Sequence, residues 1–339
     1  MSDLPLLPTM GVGSYASPGW FVAGRRMIRD GKFGSDDIAE MFDDATRIVV
    51  ADQIDAGVDI LTDGELRRQR FVFEMFDRIE GLNRQTPGRR LGIPGYDMAP
   101  TFVAEGPLSS PNGFGVIEDF VALKKLVPNR PLKIAIPGPL TFGMSIEPQP
   151  GAAKPPMDEI VALIRTELEG LVAAGADYIQ LDEPGLTGTP YGLGPEDAAD
   201  VINQVLRGLP GKLAVHVCFG NNAGRPAMNR RMDRLLPAIE RLECHQLVLE
   251  FANRQMADLE ILKPLSERFD VAAGLIDVKN WYLETPDDVA RSIRRCLELV
   301  PAEKLTVTAD CGFSALPRYL ARQKMEAMVA GTRLVRGEL

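Results

Sequence analysis

The sequence Leu213-Ala214-Val215-His216-Val217-Cys218 is an apolar, β-branched run that ends in two side chains able to bind a metal. A short run of this kind predicts a buried strand. Successive side chains of a strand point to opposite faces, so positions i and i+2 share one face. The sequence therefore predicts that His216 and Cys218 reach the same ion from the end of one strand.

Eight such runs occur along the chain, and helix-like segments separate most of them. They lie near residues 9–13, 58–62, 132–136, 177–181, 213–218, 246–250, 271–276 and 305–309. Alternating strands and helices predict parallel strands joined by right-handed crossovers. Eight units favour an α/β fold of the (β/α)8 TIM-barrel type, with its site at the C-terminal ends of the strands. An open doubly wound sheet is the alternative.

Apolar periodicity predicts the helices between these strands. The pattern favours helices over 36–56 and 158–174, and a last helix over about 315–335. Thr285-Pro286 is typical of an N-cap followed by proline at the first helical position.

Two segments interrupt the alternation. Residues 14–35 are predicted to form a long first loop, and residues 83–115 are rich in Gly and Pro without a helical pattern. Loops this long in a compact domain are usually functional or disordered. We interpret 83–115 as a hairpin or lid, inserted between the second and third strands over the C-terminal face. The whole chain, 1–339, is predicted to be a single catalytic domain.

The composition disfavours some binding partners and indicates the cellular compartment. The chain has 339 residues, of which 45% are hydrophobic and 25% charged, and a formal charge of -9. A negative charge disfavours binding to nucleic acid or to an anionic membrane surface. The sequence has no apolar stretch long enough to cross a bilayer and no secretion signal. Four cysteines do not make a disulfide framework at this length, so a reducing cytoplasm with free thiols is expected.

Two further strand ends carry metal-binding groups. Glu250 ends the run 246–250, and Cys311 follows the run 305–309. Parallel strands of a barrel bring such ends to one face, where His216 and Cys218 also emerge. One histidine, two cysteines and a glutamate suit zinc, because zinc accepts N, S and O ligands in a tetrahedral array. The alternative is that the histidine and cysteines are ordinary core residues.

A zinc site of this composition favours sulfur chemistry. Zinc has no redox chemistry, and a thiol that coordinates it loses its proton near neutral pH. Two cysteinates and a glutamate make the site electron-rich, so the bound thiolate stays nucleophilic. Alkyl transfer to a thiol is therefore favoured over hydrolysis.

Other strand ends offer groups that suit an amino acid. Glu65 and Asp182 follow the second and fourth runs, and carboxylates on one rim are typical of binding to an amino group. Gly13-Ser14 ends the first run and offers backbone N–H groups to a carboxylate. Cys244, His245 and Cys296 are interpreted as structural, since they lie away from this rim.

The chain resembles the catalytic barrel of the cobalamin-independent methionine synthase family. The resemblance rests on Met10-Gly11-Val12-Gly13-Ser14, Asp63-Gly64-Glu65, Ile136-Pro137-Gly138-Pro139-Leu140-Thr141, Ile179-Gln180-Leu181-Asp182-Glu183-Pro184, His216-Val217-Cys218, Leu249-Glu250 and Asp310-Cys311-Gly312. It implies a (β/α)8 barrel that methylates homocysteine on zinc. It also implies roles for eight residues: His216, Cys218, Glu250 and Cys311 as zinc ligands, Glu65 and Asp182 at the homocysteine amino group, and Gly13 and Ser14 at its carboxylate.

Two departures from the family concern the methyl donor. The long synthases carry a second, N-terminal barrel that this chain lacks, so it resembles the short core form. They also hold a polyglutamyl methylfolate with a tryptophan just after the Gly-Pro strand end. Here that stretch is Leu140-Thr141-Phe142-Gly143-Met144-Ser145, without tryptophan. The predicted donor is therefore a methyl-corrinoid protein or another carrier rather than polyglutamyl folate.

Two other functions remain open at this point. Related zinc barrels alkylate other thiols, such as coenzyme M with opened epoxides, but that thiol has no ammonium group to meet Glu65 and Asp182. A closed Cys/His site is often structural, so a noncatalytic, zinc-stabilised barrel is the third hypothesis.

Overall fold

The computed structural model describes residues 4–68, 73–86, 100–148, 156–188, 192–221, 225, 230 and 232–339. Contacts divide the chain into two units. Unit 1 comprises Met1–Phe71, Ala122–Lys133 and Val248–Leu339, and unit 2 comprises Val72–Val121 and Ile134–Leu247. The single-domain organisation stays a prediction.

Helices and strands alternate along most of the described chain. The helices are α1 (Gly19–Arg29), α2 (Ser35–Ala56), α3 (Phe73–Phe76), α4 (Val116–Leu126), α5 (Pro139–Gly143), α6 (Met157–Ala173), α7 (Pro195–Leu206), α8 (Leu236–Ile239), α9 (Leu262–Arg268), α10 (Pro286–Leu297) and α11 (Arg318–Arg336). The strands are β1 (Glu80–Arg84), β2 (Phe102–Ser109), β3 (Ile134–Pro137), β4 (Ile146–Glu147), β5 (Tyr178–Asp182), β6 (Lys212–Val217), β7 (Gln246–Glu250), β8 (Asp270–Ile276) and β9 (Leu305–Ala309).

The main sheet has six strands in the order β3-β5-β6-β7-β8-β9. The pairs β3/β5, β5/β6 and β8/β9 are parallel. Every residue of β3, β5, β7 and β9 is buried. Strands buried on both faces belong to parallel sheets that are covered on both sides. The predicted α/β class with a parallel sheet is confirmed, and six of the eight predicted runs form its strands.

The two remaining runs, near 9–13 and 58–62, form isolated parallel bridges instead of full strands. Thr9 bridges Val307, Met10 bridges Ile60, and Leu61 bridges Leu132. Gly11 follows the bridged residues Thr9 and Met10, Gly13 comes two residues later, and glycine weakens a strand. The strand prediction was therefore too long at these two places.

A second sheet accounts for part of the 83–115 segment. It has the order β1-β2-β4, with β1 antiparallel to β2 and β2 parallel to β4. Antiparallel pairing is what the hairpin interpretation requires. Residues 87–99 lie outside the described part of the chain, and the role of a lid stays a prediction.

The prediction that residues 14–35 form a loop is wrong, because they contain α1. Phe21 of α1 is fully buried and makes an edge contact with the Phe42 ring of α2, with centroids 5.7 Å apart. A Cβ at Gly24 would lie 2.2 Å from the Met41 sulfur, so this glycine lets α1 approach α2 closely. Packing against α2 thus stabilises a helix whose glycines weaken its intrinsic propensity.

The other helix predictions are confirmed to within a few residues. Helix α2 ends at Gly57, whose φ of 84° is the left-handed C-cap conformation. Helix α10 begins with a capping box between Thr285 and Asp288. Helix α11 starts at Arg318 rather than 315, because Pro317 precedes it and 313–315 form a separate 3₁₀ turn. Within the described residues, no helix is both long and apolar enough to span a bilayer.

Candidate metal and substrate site

Neighbouring strands β5 and β6 place a carboxylate against the predicted histidine ligand. Asp182 and His216 are partners in the parallel register, and Oδ1 of Asp182 lies 2.8 Å from Nδ1 of His216. The side-chain amide of Gln180 donates to the same oxygen at 2.7 Å. A metal-bound histidine usually directs its other ring nitrogen at a carboxylate. With Nδ1 at Asp182, a metal would be bound through Nε2.

Three of the four predicted zinc ligands are brought together. One ligand atom each from His216, Cys218 and Cys311 lies within 4.8 Å of the other two. His216 and Cys218 are buried and Cys311 is partly buried. Two sulfurs and an imidazole nitrogen fit zinc, whereas magnesium and calcium prefer oxygen ligands. The donor chemistry of this group therefore matches the predicted metal.

Glu250, the fourth predicted ligand, has a charged partner of its own. The Nζ atom of Lys279 lies 2.6 Å from Oε2 of Glu250, and both side chains are fully buried. Glu250 is not in the group of three described above. Its role as a metal ligand stays a prediction. No local pattern in the sequence indicates a role for Lys279, because it lies in the segment after β8, outside any motif.

Asp310, beside Cys311, fixes the turn that follows Glu250. Its Oδ1 accepts hydrogen bonds from the backbone N–H groups of Phe251 and Ala252, both at 2.9 Å, and Oδ2 accepts one from Asn253 at 2.5 Å. Burial, and then the charge of Glu250, raise the pKa of Asp310 well above its ordinary value. The segments that carry Cys311 and Glu250 are thus tied together through backbone hydrogen bonds.

Ser14 and Glu65, predicted to bind opposite ends of an amino acid, are adjacent. The Ser14 hydroxyl donates to Oε2 of Glu65 at 2.6 Å. Arg68 lies 3.8 Å from Oε1 of the same carboxylate, and both side chains are almost fully buried. Glu65 has a φ of 56°, which is uncommon for a residue other than glycine and often marks a functional site.

The Gly13–Ser14 segment lies directly against Gly312. A Cβ on Gly312 would be 2.6 Å from the backbone nitrogen of Ser14, and one on Gly13 would be 3.0 Å from the backbone nitrogen of Gly312. Gly13 also has a φ of 60°, which favours glycine. Only glycines allow this approach, which brings the backbone of Ser14 beside the residue that follows Cys311.

The neighbouring carboxylates of Asp182 and Glu183 differ in their hydrogen bonding. Oδ2 of Asp182 is buried and has no hydrogen-bond partner in the described part of the chain. Glu183 accepts hydrogen bonds from the N–H groups of Leu140 and Thr141 at 3.0 and 2.7 Å. Burial raises the pKa of Glu183 to about 7, although these bonds oppose the shift. Glu183 therefore caps α5, a role that the sequence did not indicate.

Two of the residues interpreted as structural, His245 and Cys296, have the hydrogen bonding or the burial expected of structural residues. Nδ1 of His245 accepts a hydrogen bond from the N–H of Leu213 at 3.1 Å, at the start of β6. Cys296 is fully buried in α10, and burial raises the pKa of its thiol to about 12. Neither feature suits a metal ligand.

Comparisons with known proteins show which family the chain is similar to. The family model described as the cobalamin-independent synthase catalytic domain matches residues 7–333. A methionine synthase of Saccharolobus solfataricus is 34% identical over 343 residues, covering 100% of this chain and 98% of its own length. One from Sulfurisphaera tokodaii is 33% identical, covering 100% of this chain and 95% of its own length. The structure of a B12-independent methionine synthase from Shewanella sp. W3-18-1, in complex with selenomethionine, superimposes with a TM-score of 0.82, 28% identity and 98% coverage of both chains.

The chain has a parallel α/β sheet, and His216, Cys218 and Cys311 lie at or just after the ends of its strands. Together these features define a candidate metal-dependent enzyme. The chain belongs to the family of the cobalamin-independent synthase catalytic domain, as its resemblance to the family motifs implied.

Proposed function

We propose that this chain is a zinc-dependent S-methyltransferase that transfers a methyl group to homocysteine and forms methionine. The observation that carries the proposal is the group of His216, Cys218 and Cys311, whose ligand atoms lie within 4.8 Å of one another. Membership of the family and the name of its curated relatives, methionine synthase, support the same reaction. When bound, zinc lowers the pKa of a coordinated thiol so that it reacts as a thiolate near neutral pH.

The protein side chains hold the metal ligands and the substrate in place. Asp182 accepts a hydrogen bond from Nδ1 of His216 and so fixes the orientation of the ring. Glu250 would complete the ligand set. Orientation of this kind matters because a misplacement of about 1 Å at a reacting group can cost a hundredfold in rate.

The amino-acid part of homocysteine would be bound by charge and by backbone N–H groups. The unpartnered Oδ2 of Asp182 and the carboxylate of Glu65 would accept hydrogen bonds from its ammonium group. The backbone of Gly13 and Ser14 would meet its carboxylate. Two buried carboxylates favour a thiol that carries an ammonium group over coenzyme M, which carries a sulfonate.

The Leu140–Ser145 stretch, where the long synthases hold the folate, supports a methyl donor other than polyglutamyl folate. Phe142 is the only aromatic residue in the Leu140–Ser145 stretch. Its ring is 1% exposed, and it stacks on Phe114 at 5.3 Å and meets the edge of Phe76 at 5.1 Å. A ring used in this way offers no open face to a pterin. The proposed donor is a methyl-corrinoid protein or another methyl carrier, in the cytoplasm.

We also propose that the eight predicted units close into a (β/α)8 barrel. The isolated bridges support this arrangement: they link Val307 of β9 to Thr9, Met10 to Ile60, and Leu61 to Leu132. Leu132 lies two residues before β3, the first strand of the six-stranded sheet.

A donor panel with homocysteine tests the reaction. Methylcobalamin, methylfolate with one or three glutamates, S-methylmethionine and cell extract would each be supplied to the zinc-loaded protein, and methionine would be quantified. Cys311→Ser should lose both bound zinc and methionine formation, while Cys244→Ser should keep both. Full activity and full zinc content in Cys311→Ser would contradict the proposal. A zinc-bound protein that makes no methionine with any donor would favour the noncatalytic alternative.

A further inference from the structure

Tyr15, the residue after the Gly13–Ser14 segment, has a buried hydroxyl that is bound to a carboxylate. The side chain is 4% exposed, and its hydroxyl donates to Oδ2 of Asp52 in α2 at 3.1 Å. Burial, and then the charge of Asp52, raise the pKa of Tyr15, so the hydroxyl keeps its proton and donates at neutral pH. A buried hydroxyl is costly without a hydrogen bond, so this bond fixes the orientation of the side chain.

Arg318, the first residue of α11, holds the carboxylate of Asp52 in turn. Its Nε donates to Oδ2 of Asp52 at 2.7 Å, and its Nη2 donates to Oδ1 at 2.6 Å. Two parallel N–H···O bonds fix the geometry of a carboxylate as well as its charge. The Tyr15 hydroxyl is thus bound to a group whose position α2 and α11 determine together.

The backbone and the ring of Tyr15 contact two further segments that carry predicted site residues. The Tyr15 N–H donates to the carbonyl oxygen of Gly64, next to Glu65, at 2.8 Å. The Tyr15 ring makes an edge contact with the ring of Phe313, which follows Gly312, with centroids 6.0 Å apart. Tyr15 therefore links the segment predicted to bind the substrate carboxylate to the segments around residues 64 and 312.

These contacts leave the Gly13–Ser14 segment little freedom. Gly312 lies against it, and the Ser14 hydroxyl donates to Glu65 at 2.6 Å. Ordering a flexible loop on binding reduces affinity, because the loop loses conformational entropy. Backbone N–H groups that are already held in place avoid that loss when they bind a carboxylate.

We propose that Tyr15 is a positioning residue for the Gly13–Ser14 segment and makes the enzyme selective for thiols that carry a carboxylate. Asp52 and Arg318 act through the Tyr15 hydroxyl. The inference rests on the function proposed above and adds the residues that determine how the acceptor thiol is selected. Decarboxylated homocysteine, an aminopropanethiol, has the thiol and the amino group of the substrate but lacks the carboxylate, so it is the matched probe.

Titration calorimetry of the zinc-loaded protein with these two thiols tests the role of Tyr15. Tyr15→Phe keeps the ring on Phe313 and removes the hydroxyl. The Kd for homocysteine should rise about fivefold or more, whereas the Kd for decarboxylated homocysteine should change by less than about twofold. Adding Arg318→Gln to Tyr15→Phe should change the Kd for homocysteine by less than about twofold, because Arg318 acts through the lost hydroxyl.

Tyr178→Phe is the matched control, because it also removes a buried tyrosine hydroxyl. Tyr178 lies at the start of β5, at the opposite end of that strand from Asp182, and its hydroxyl is hydrogen-bonded to the side chain of Gln246. This variant should leave the ratio of the two Kd values as it is in the wild type.

Arg318→Gln alone decides the matter where Tyr15→Phe does not fold, and it should raise the Kd for homocysteine only. In whichever variant folds, an equal loss of affinity for both thiols would overturn the proposal, and so would a Kd for homocysteine within about twofold of wild type. Equal binding of the two thiols by the wild type would also overturn it. A wild-type protein that binds zinc but neither thiol would instead refute the proposed function.

Discussion

Among single residues, Asp182 has the most direct effect on the candidate metal site, because its carboxylate holds the ring of His216. The carboxylate lies 2.8 Å from Nδ1 and is itself held by Gln180. Partners of metal-bound histidines fix the ring and its tautomer, and removing them typically costs ten- to a hundredfold in metal affinity. Asp182→Asn should therefore weaken zinc binding by about that factor, as measured by competition with a chromogenic chelator.

Asp177→Asn is the control for this change, because Asp177 is exposed and lies before the opposite end of β5. It should bind zinc like the wild type. Equal zinc affinity in Asp182→Asn and wild type would remove Asp182 from the metal site.

The close approach of Gly312 to Ser14 makes a second prediction for a single residue. In Gly312→Ala the new methyl group would lie 2.6 Å from the Ser14 nitrogen and 2.7 Å from its oxygen, so one segment must shift. Such overpacking typically costs about 1–3 kcal/mol. Urea unfolding should show that loss, and homocysteine binding should weaken as well. Gly19→Ala, which meets no atom within 4 Å, should lower neither the free energy of unfolding nor the affinity for homocysteine.

The sequence predicts several site residues, but it does not predict the side chains that contact them. His216, Cys218 and Cys311 were predictable, because an apolar run and its alternation fix which side chains leave a strand end together. The sequence analysis predicts no role for Lys279, Asp310 or Gln180. Their partners depend on strand order and register, which the chain sets only when it is folded.

Among the helices, α10 has an N-terminus that side-chain hydrogen bonds stabilise. The backbone N–H and hydroxyl of Thr285 donate to Asp288 at 3.0 and 2.8 Å, and the Tyr282 hydroxyl adds a third hydrogen bond. These hydrogen bonds hold the pKa of Asp288 well below its ordinary value. Asp288→Ala should therefore lower the free energy of unfolding at pH 7, by less than the ~1 kcal/mol of a whole N-cap, because it removes the N3 side of the capping box while Thr285 stays as the N-cap.

The same cap gives a pH dependence of known sign. A carboxylate with a lowered pKa in the folded state stabilises the protein above its unfolded pKa of about 3.9, and the effect is lost as the pH falls further. The difference between wild type and Asp288→Ala in urea unfolding should narrow below about pH 4. Asp287→Ala is the control in the same first turn, and a difference that is as large at pH 3 as at pH 7 would contradict the assignment.

Helices also show why some elements were predictable and one was not. Helices α2, α6 and α10 have clear apolar faces or caps that end or begin them in the sequence. Helix α1 has glycines at 19 and 24 and a proline before it, so the local signal favoured a loop. Its stability comes from packing on α2 through Phe21, which is a tertiary effect.

At the scale of the whole molecule, metal binding should couple to folding. A ligand that binds only the folded chain stabilises it by about 2.7 kcal/mol when its concentration is a hundred times its Kd. Zinc should therefore raise the free energy of unfolding of the wild-type protein, and a chelator should reverse the gain. In Cys311→Ser the zinc-dependent part should disappear. A gain of the same size in both proteins would place the stabilising zinc elsewhere.

X-ray absorption at the zinc edge tests the central claim most directly, because it counts the sulfur atoms bound to the metal. The zinc-loaded protein should show the two sulfurs of Cys218 and Cys311 without substrate, and a third when homocysteine is added. A metal that binds fewer than two protein sulfurs, or a sulfur count that homocysteine leaves unchanged, would contradict the account.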